Sequence, residues 1–186
     1  MARSLQCEAV NCGIGLRQTC KALVRFGLPP EGYWPYRPDR LDKTPSSFLF
    51  SFASEYASLL YVRLGRSPMT GRQTLATLRS FLAAGFPVAF GFTVFDCLSR
   101  EAHIPYPTCY DSVRGGQAGV ALGYDDRLRI HSEKGALLVR LSWGADWGEE
   151  GYGWLPYRYV EQELAADFWT LLRPDWLDSE EFHQPS

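Results

Sequence analysis

An α+β chain, with helices gathered early and antiparallel strands gathered late, is what three observations in the 186 residues predict. Apolar positions recur mainly at helical spacing as far as Ala84 and at strand-like spacing beyond it. Breakers fall at the joints, at Gly27, in the Pro-rich run Leu28–Pro45 and at Gly85. Five of the six tryptophans crowd the stretch from Trp143 to Trp176, the first two of them among closely spaced glycines.

In chain order, Leu16, Cys20, Leu23, Val24 and Phe26 trace a helical stripe that Gly27 stops. LPPEGYWPYRPDRLDKTP follows, too rich in proline for regular structure. Ser46 or Ser47 is placed to cap a helix running to about Ala57, with a short strand at Leu59–Leu64 after it. Thr70 opens a second amphipathic helix through Leu75, Leu78 and Leu82, closed by Gly85. PVAFGFTV then reads as a buried strand, and a polar, Pro-containing loop runs from Asp96 to Arg114. Strands are expected at Ala118–Tyr124, Leu128–His131, Leu137–Ser142, Gly151–Pro156 and Phe168–Leu172, with a short helix over Tyr157–Leu164. Asp125 and Asp126 read as a turn pair between the first two of these. The expected organisation is a partial helical lobe over residues 1–69 and a mainly antiparallel β lobe over 70–186, sharing one core.

Composition narrows the function classes. Hydrophobic residues at 46% and charged residues at 22% exclude a disordered chain. Nineteen Lys and Arg against 21 Asp and Glu argue against a nucleic-acid or acidic-membrane partner, which calls for a basic excess. The longest apolar stretch, Phe81–Phe95, is broken by Gly85, Pro87 and Gly91 and falls short of the roughly 20 residues that span a bilayer, so no membrane insertion is expected. The N-terminal residues lack the apolar run of a signal peptide. Five cysteines (Cys7, Cys12, Cys20, Cys97, Cys109) make no CxxC pair, and His103, His131 and His183 are scattered. These features suit a reduced, cytoplasmic chain with no metal and no cofactor.

The most informative segments are GGQAGVALGYDD (Gly115–Asp126) and GALLVRLSWGADWGEEGYGWLPYRYV (Gly135–Val160). Physically they are two hairpin arms and a turn whose glycines allow tight backbone paths while Trp143 and Trp147 fill the space beside them. The combination closely resembles the papain-like cysteine peptidases, in particular a bacterial branch with the patterns GGHAVLAVGYDD and RNSWGxxWGxxGY. NCGIGLRQTCKALVRFGLPPEGYWPY (Asn11–Tyr36) is similar to the same family's C-x-G-G loop, second helix and Y-P-Y turn. The resemblance covers nearly the whole chain and implies a papain-like fold: a truncated helical lobe plus an antiparallel, β-barrel-like lobe.

It does not carry the chemistry with it. Such peptidases need a thiolate, an imidazole that takes and returns its proton, and an amide that orients the imidazole. The resemblance puts the imidazole position on Gln117, which has no proton to exchange near neutral pH, and the amide position on Leu141, which cannot hydrogen-bond. Ser142 and Trp143 match the flanking positions. The family's nucleophile starts a long helix well upstream of the C-x-G-G loop, whereas ten residues precede Asn11 here. Cys7 echoes the nucleophile's local sequence without room for such a helix before Gly13, and Cys12 takes a structural position. Cys97, Cys109 and His103 share one loop, and His131 sits at an expected strand end; all read better as ordinary loop residues than as a substitute dyad.

Two functions follow as expectations. The first is a catalytically inactive, pseudo-peptidase chain acting as a protein-binding or assembly subunit. Its uncovered helical stripe, Leu16, Cys20, Leu23 and Val24, would meet another protein chain or a second copy. The remnant of a substrate groove, with Asn11 and Gly13 on one wall and Gln117 and Trp143 on the other, would accept a peptide. The second is a cysteine peptidase completed by a partner chain that supplies the nucleophile helix.

Overall fold

The computed structural model describes residues 14–40, 42–57, 60–65 and 68–173. Helix α1 spans Leu16–Phe26, and the N–H of Gly27 closes it on the carbonyl of Leu23 at 2.8 Å. Only glycine serves here. Its φ is +70°, and a Cβ would lie 1.7 Å from the carbonyl oxygen of Ala53 on the next helix. Helix α2, Ser47–Ser54, is capped by Ser46, whose hydroxyl accepts the N–H of Leu49. It stops short of the expected Ala57 because its last N–H groups tighten to three-residue bonds, Glu55 to Phe52 and Tyr56 to Ala53. Phe26 meets Phe50 edge-on at 6.0 Å, which joins the two helices. A turn of 3-10 helix at Pro38–Arg40 interrupts the Pro-rich connection.

Strand β1 occupies Leu60–Leu64; the expected first residue, Leu59, lies outside the described residues. Helix α3, Gly71–Ala83, starts on a capping box: Gln73 N–H bonds the Thr70 hydroxyl, and the Gln73 side chain accepts the N–H of Thr70 at 2.8 Å. Its buried residues Leu75, Leu78 and Leu82 form the stripe expected from spacing. Strand β2, Val88–Phe95, is less buried than its apolar sequence suggested. Val88, Phe90 and Phe92 are buried on one face, and the residues between them are half-buried.

The largest departure is β3, one strand over Val113–Ile130 where two strands and a turn were expected. Asp125 and Asp126 do not reverse the chain. They sit at a bulge between Asp125 and Arg129, where the Asp125 carboxylate accepts the N–H groups of Arg127 and Leu128 and replaces missing ladder bonds. The reversal comes at His131 and Ser132, and β4 runs Glu133–Leu141. Strand β5 is Tyr152–Pro156, helix α4 is cut to Arg158–Glu161, and β6 begins early, at Ala165, and ends at Leu172. Glu163 and Asp167, both with φ near +60°, mark the helix end and an irregularity in β6.

The sheet order is β1-β6-β2-β3-β4-β5, with β6, β2, β3, β4 and β5 paired antiparallel. The outer edge of β5 is covered by the Asp96–Arg114 segment: Ile104 N–H bonds Trp154 O, and Trp154 N–H bonds Ala102 O. The chain divides into two compact units, Met1–Val62 with Leu171–Ser186, and Arg63–Thr170. In the first, α1 packs on α2. In the second, α3 packs on β2, β3 and α4 over a core that includes Phe90, which stacks on Phe168 and meets Phe92 at a tilt. No helix among the described residues is long and apolar enough to cross a membrane.

Candidate functional site

The motif residues of the second unit meet at the open end of the β3–β4 hairpin. Register pairs Phe92 with Gln117, Phe90 with Gly119, and Gly119 with Leu141. Residues two apart on a strand share a face, so Gln117 and Gly119 point the same way. A Cβ on Gly119 would lie 2.7 Å from Leu141 Cδ2, so the Leu141 side chain lies over Gly119 on that face. Leu141 is 5% exposed.

Gln117 is half-buried and anchored. Its Nε2 donates to the carbonyl of Ala118 at 3.0 Å and to Ser142 Oγ at 3.3 Å. Trp143, exposed at the rim, meets the buried Trp147 edge-on at 5.1 Å. Trp147 Nε1 donates to the carbonyl of Ser99 at 3.0 Å. Gly153 makes this possible, since a Cβ there would come within 2.5 Å of the Trp147 ring and 2.8 Å of Ala102 O. Gln117 is thus an amide held by hydrogen bonds to its neighbours, with no titratable side chain bonded to it among the described residues.

The other groups singled out in the sequence fall elsewhere. Asn11, Gly13, Cys7 and Cys12 lie outside the described residues, so one wall of the expected groove goes undescribed. His103 is exposed and bridges to Trp154. Cys97 instead shares a cavity of about 550 Å³ with His131, a pairing concealed by their separation of 34 positions in the chain. Its thiol faces Asp111, and burial together with the Asp111 and Asp96 charges pushes its pKa up, which keeps it protonated. Asp111 itself is held below the usual carboxylate range by two hydrogen bonds from Thr108. No hydrogen bond joins either histidine to a cysteine among the described residues. Nor do the described residues hold a group of three or more His, Cys, Asp or Glu able to bind a metal ion.

On α1 the expected stripe is only partly open. Leu16, Leu23 and Val24 are half-buried, but Cys20 is 5% exposed and turned into the protein, so it drops out of any exposed face. Leu23 lines a second cavity, of about 530 Å³, with Leu28, Trp34 and Tyr56. That cavity has no sequence signature, because much of its wall comes from the Pro-rich loop, which has no periodicity.

Comparison with known proteins gives a consistent answer. The chain is 29% identical over 168 residues to an uncharacterized peptidase C1-like protein of Acanthamoeba polyphaga mimivirus, covering 87% of this chain and 52% of that protein. A 75-residue stretch is 37% identical to Cathepsin B-like CP3 of Giardia intestinalis, 38% of this chain and 23% of that one. The structure superposes on xylellain, a cysteine protease from Xylella fastidiosa, with a TM-score of 0.73 at 32% identity, over 91% of this chain and 66% of that one. The chain thus spans about half the length of the mimivirus protein and about two thirds of the xylellain chain. No family model matches.

Proposed function

Since the chain belongs to the papain-like C1 cysteine peptidases, we propose that it is a catalytically silent member of that family and acts by binding another protein. The observation that carries this reading is the state of Gln117. Where the family resemblance calls for an imidazole, a carboxamide donates to Ser142 Oγ and to the backbone of its neighbour, and Leu141 fills the place of the orienting amide. A carboxamide neither accepts nor returns a proton near neutral pH, so a thiol brought to this site would stay protonated and weakly nucleophilic. The surrounding structure is intact, with the Trp143–Trp147 pair, the Gly153 contact and the β3–β4 register all in place. A scaffold kept in order without its proton-transfer group supports a binding role over decay.

The test is labelling with an epoxide electrophile directed at cysteine peptidases, run alongside turnover of fluorogenic peptides. Both use the purified chain, alone and with any protein that co-purifies from the native source. Labelling at the rate of a simple thiol and no turnover are expected in each case. Rapid labelling or turnover only in the complex would overturn this reading in favour of a peptidase completed by a partner.

A further inference from the structure

We propose that the apolar groove of the first unit is filled in cis by the chain's own C-terminal segment, residues 174–186, with Trp176 as the anchor. The proposal goes beyond the binding role above and does not rest on it.

The groove is the cavity of about 530 Å³ beside the C-terminal half of α1. Leu23, Leu28, Pro30, Trp34, Pro45 and Tyr56 line it, a size and apolar character suited to one large side chain. Leu28 is 63% exposed and Tyr56 49%, and open apolar surface of this kind marks an interaction site. Prolines in the walls hold the backbone in place, so little ordering entropy is lost when the groove fills. Charge does not choose the occupant. Glu31 in the wall and Arg40, 5.8 Å from the Trp34 ring centre, are of opposite sign. The exposed cations of α1, Arg17, Lys21 and Arg25, fall on the far side of the helix from Thr19, Ala22 and Leu23, which face the groove.

Aromatic content and reach choose it instead. Both ends of the chain, residues 1–13 and 174–186, lie outside the described residues. The first end holds no aromatic side chain, whereas the second sets Trp176 beside Leu177 and carries Phe182 a few positions on. Topology brings that second end to the groove. Strand β6 neighbours β1, and the boundary of the first unit cuts both strands, after Val62 and after Thr170. The end of β6 therefore lies with the start of β1, and Leu60 there follows Tyr56 of the groove wall by four positions. From Leu172 the chain reaches Trp176 in four more positions, a span of up to about 14 Å when extended. Leu171–Ser186 also belongs to the same compact unit as the groove. A tether this short holds its anchor at a local concentration on the order of 1 mM, which favours it over a second copy or a partner present at micromolar levels.

Hydrogen exchange read by mass spectrometry on the full chain tests this, comparing the wild type with Trp176→Ala and Trp176→Phe. Emptying the groove should speed exchange over residues Leu23 to Trp34 by about tenfold and leave β3 and β4 unchanged, and phenylalanine should keep most of the protection. A labelled synthetic peptide of residues 174–186 should bind the Trp176→Ala chain about tenfold or more tighter than the wild type, whose groove is filled. The same peptide with Ala for Trp176 should bind neither, and adding Tyr56→Ala to the Trp176→Ala chain should remove binding from the groove side. Equal exchange in all three chains, or equal peptide binding to wild type and Trp176→Ala, would overturn the proposal. So would protection that grows with protein concentration, the mark of a second copy, or a peptide of residues 1–13 that protects the groove in place of 174–186. None of these results bears on catalytic silence, which the thiol probe decides separately.

Discussion

Removing one hydroxyl, by Tyr157→Phe, isolates the polar knot that ties α3 to the bulged strand β3. The Tyr157 hydroxyl donates to Asp126 Oδ1 at 2.7 Å, and Arg79 Nη2 bonds Oδ2 of the same carboxylate at 2.5 Å. The Arg79 guanidinium also lies 5.1 Å from the Tyr124 ring centre and 5.9 Å from that of Tyr157. The Tyr157 ring is 9% exposed and packs where a Cβ on Gly135 would clash at 2.3 Å, so phenylalanine fits the same space. Only the donor is lost. A hydrogen bond to a charged acceptor contributes about 1.5–3 kcal/mol when both groups are dry. The Asp126 side chain is 48% exposed and regains water, which brings the expected loss to about 1 kcal/mol, or about 2–4 °C in Tm for a chain of this size. The variant also changes the response to alkali. Burial first, then the hydrogen bond to Asp126 and its charge, raise the Tyr157 pKa above the ordinary phenol value; burial does the same to Tyr159. A raised folded pKa means that this stabilisation is complete below about pH 10, the unfolded value, and is withdrawn as pH climbs past it. Urea denaturation from pH 7 to about pH 11 should therefore show the wild type losing stability at the alkaline end, and Tyr157→Phe losing less. Equal stability at pH 7 together with an unchanged alkaline fall would refute the assigned role of the knot.

Other consequences can be checked singly. Gly27→Ala puts a Cβ 1.7 Å from Ala53 O at a φ of +70°, so α1 and α2 must separate; a loss of at least about 3 kcal/mol, seen as reduced helical circular dichroism, is expected. Toward a disulfide reagent at neutral pH, exposed Cys109 should react at once and Cys97 slowly, and Asp111→Asn should speed Cys97 by lowering its raised pKa, as peptide mapping of the labelled sites would show.

What the sequence disclosed depended on whether a residue acts along the chain or across it. Ser46 and Thr70 act within a few positions of themselves, and Gly27 closes α1 on Leu23 four positions back, so the starts of α2 and α3 and the stop of α1 are legible locally, whereas the approach of Gly27 to Ala53 is not. The hairpin glycines and Trp143 were legible for a different reason, as a pattern that a family resemblance could place. Asp125–Asp126 misled because a pair of aspartates is ordinary turn chemistry, and only Arg79, 47 positions away, makes Asp126 an anchor inside a strand. The Cys97–His131 cavity and the α1 groove are likewise products of distant segments meeting. Their side chains carry no periodicity, and no local rule announces them.

Whether the site proposed to be silent has the geometry of a proton relay can be asked by introducing two of the relay's side chains. Gln117 and Leu141 share one face of the β3–β4 ladder, diagonal to each other across the Gly119–Leu141 pair, within reach of long side chains. Gln117→His alone replaces one hydrogen-bonding group by another at a half-buried position and should change stability by less than about 0.5 kcal/mol. Leu141→Asn alone loses buried apolar area and leaves an amide dry, a loss of about 3 kcal/mol or more. In the double variant the introduced imidazole and amide can meet, and a hydrogen bond between them should return about 1 kcal/mol as a coupling free energy in a denaturant double-mutant cycle. Because the ladder fixes where both Cβ atoms stand, that coupling depends on backbone geometry alone. Strict additivity of the two changes would mean that the side chains do not face one another. The correspondence that makes Gln117 and Leu141 the replaced relay would then fail, and the case for catalytic silence with it.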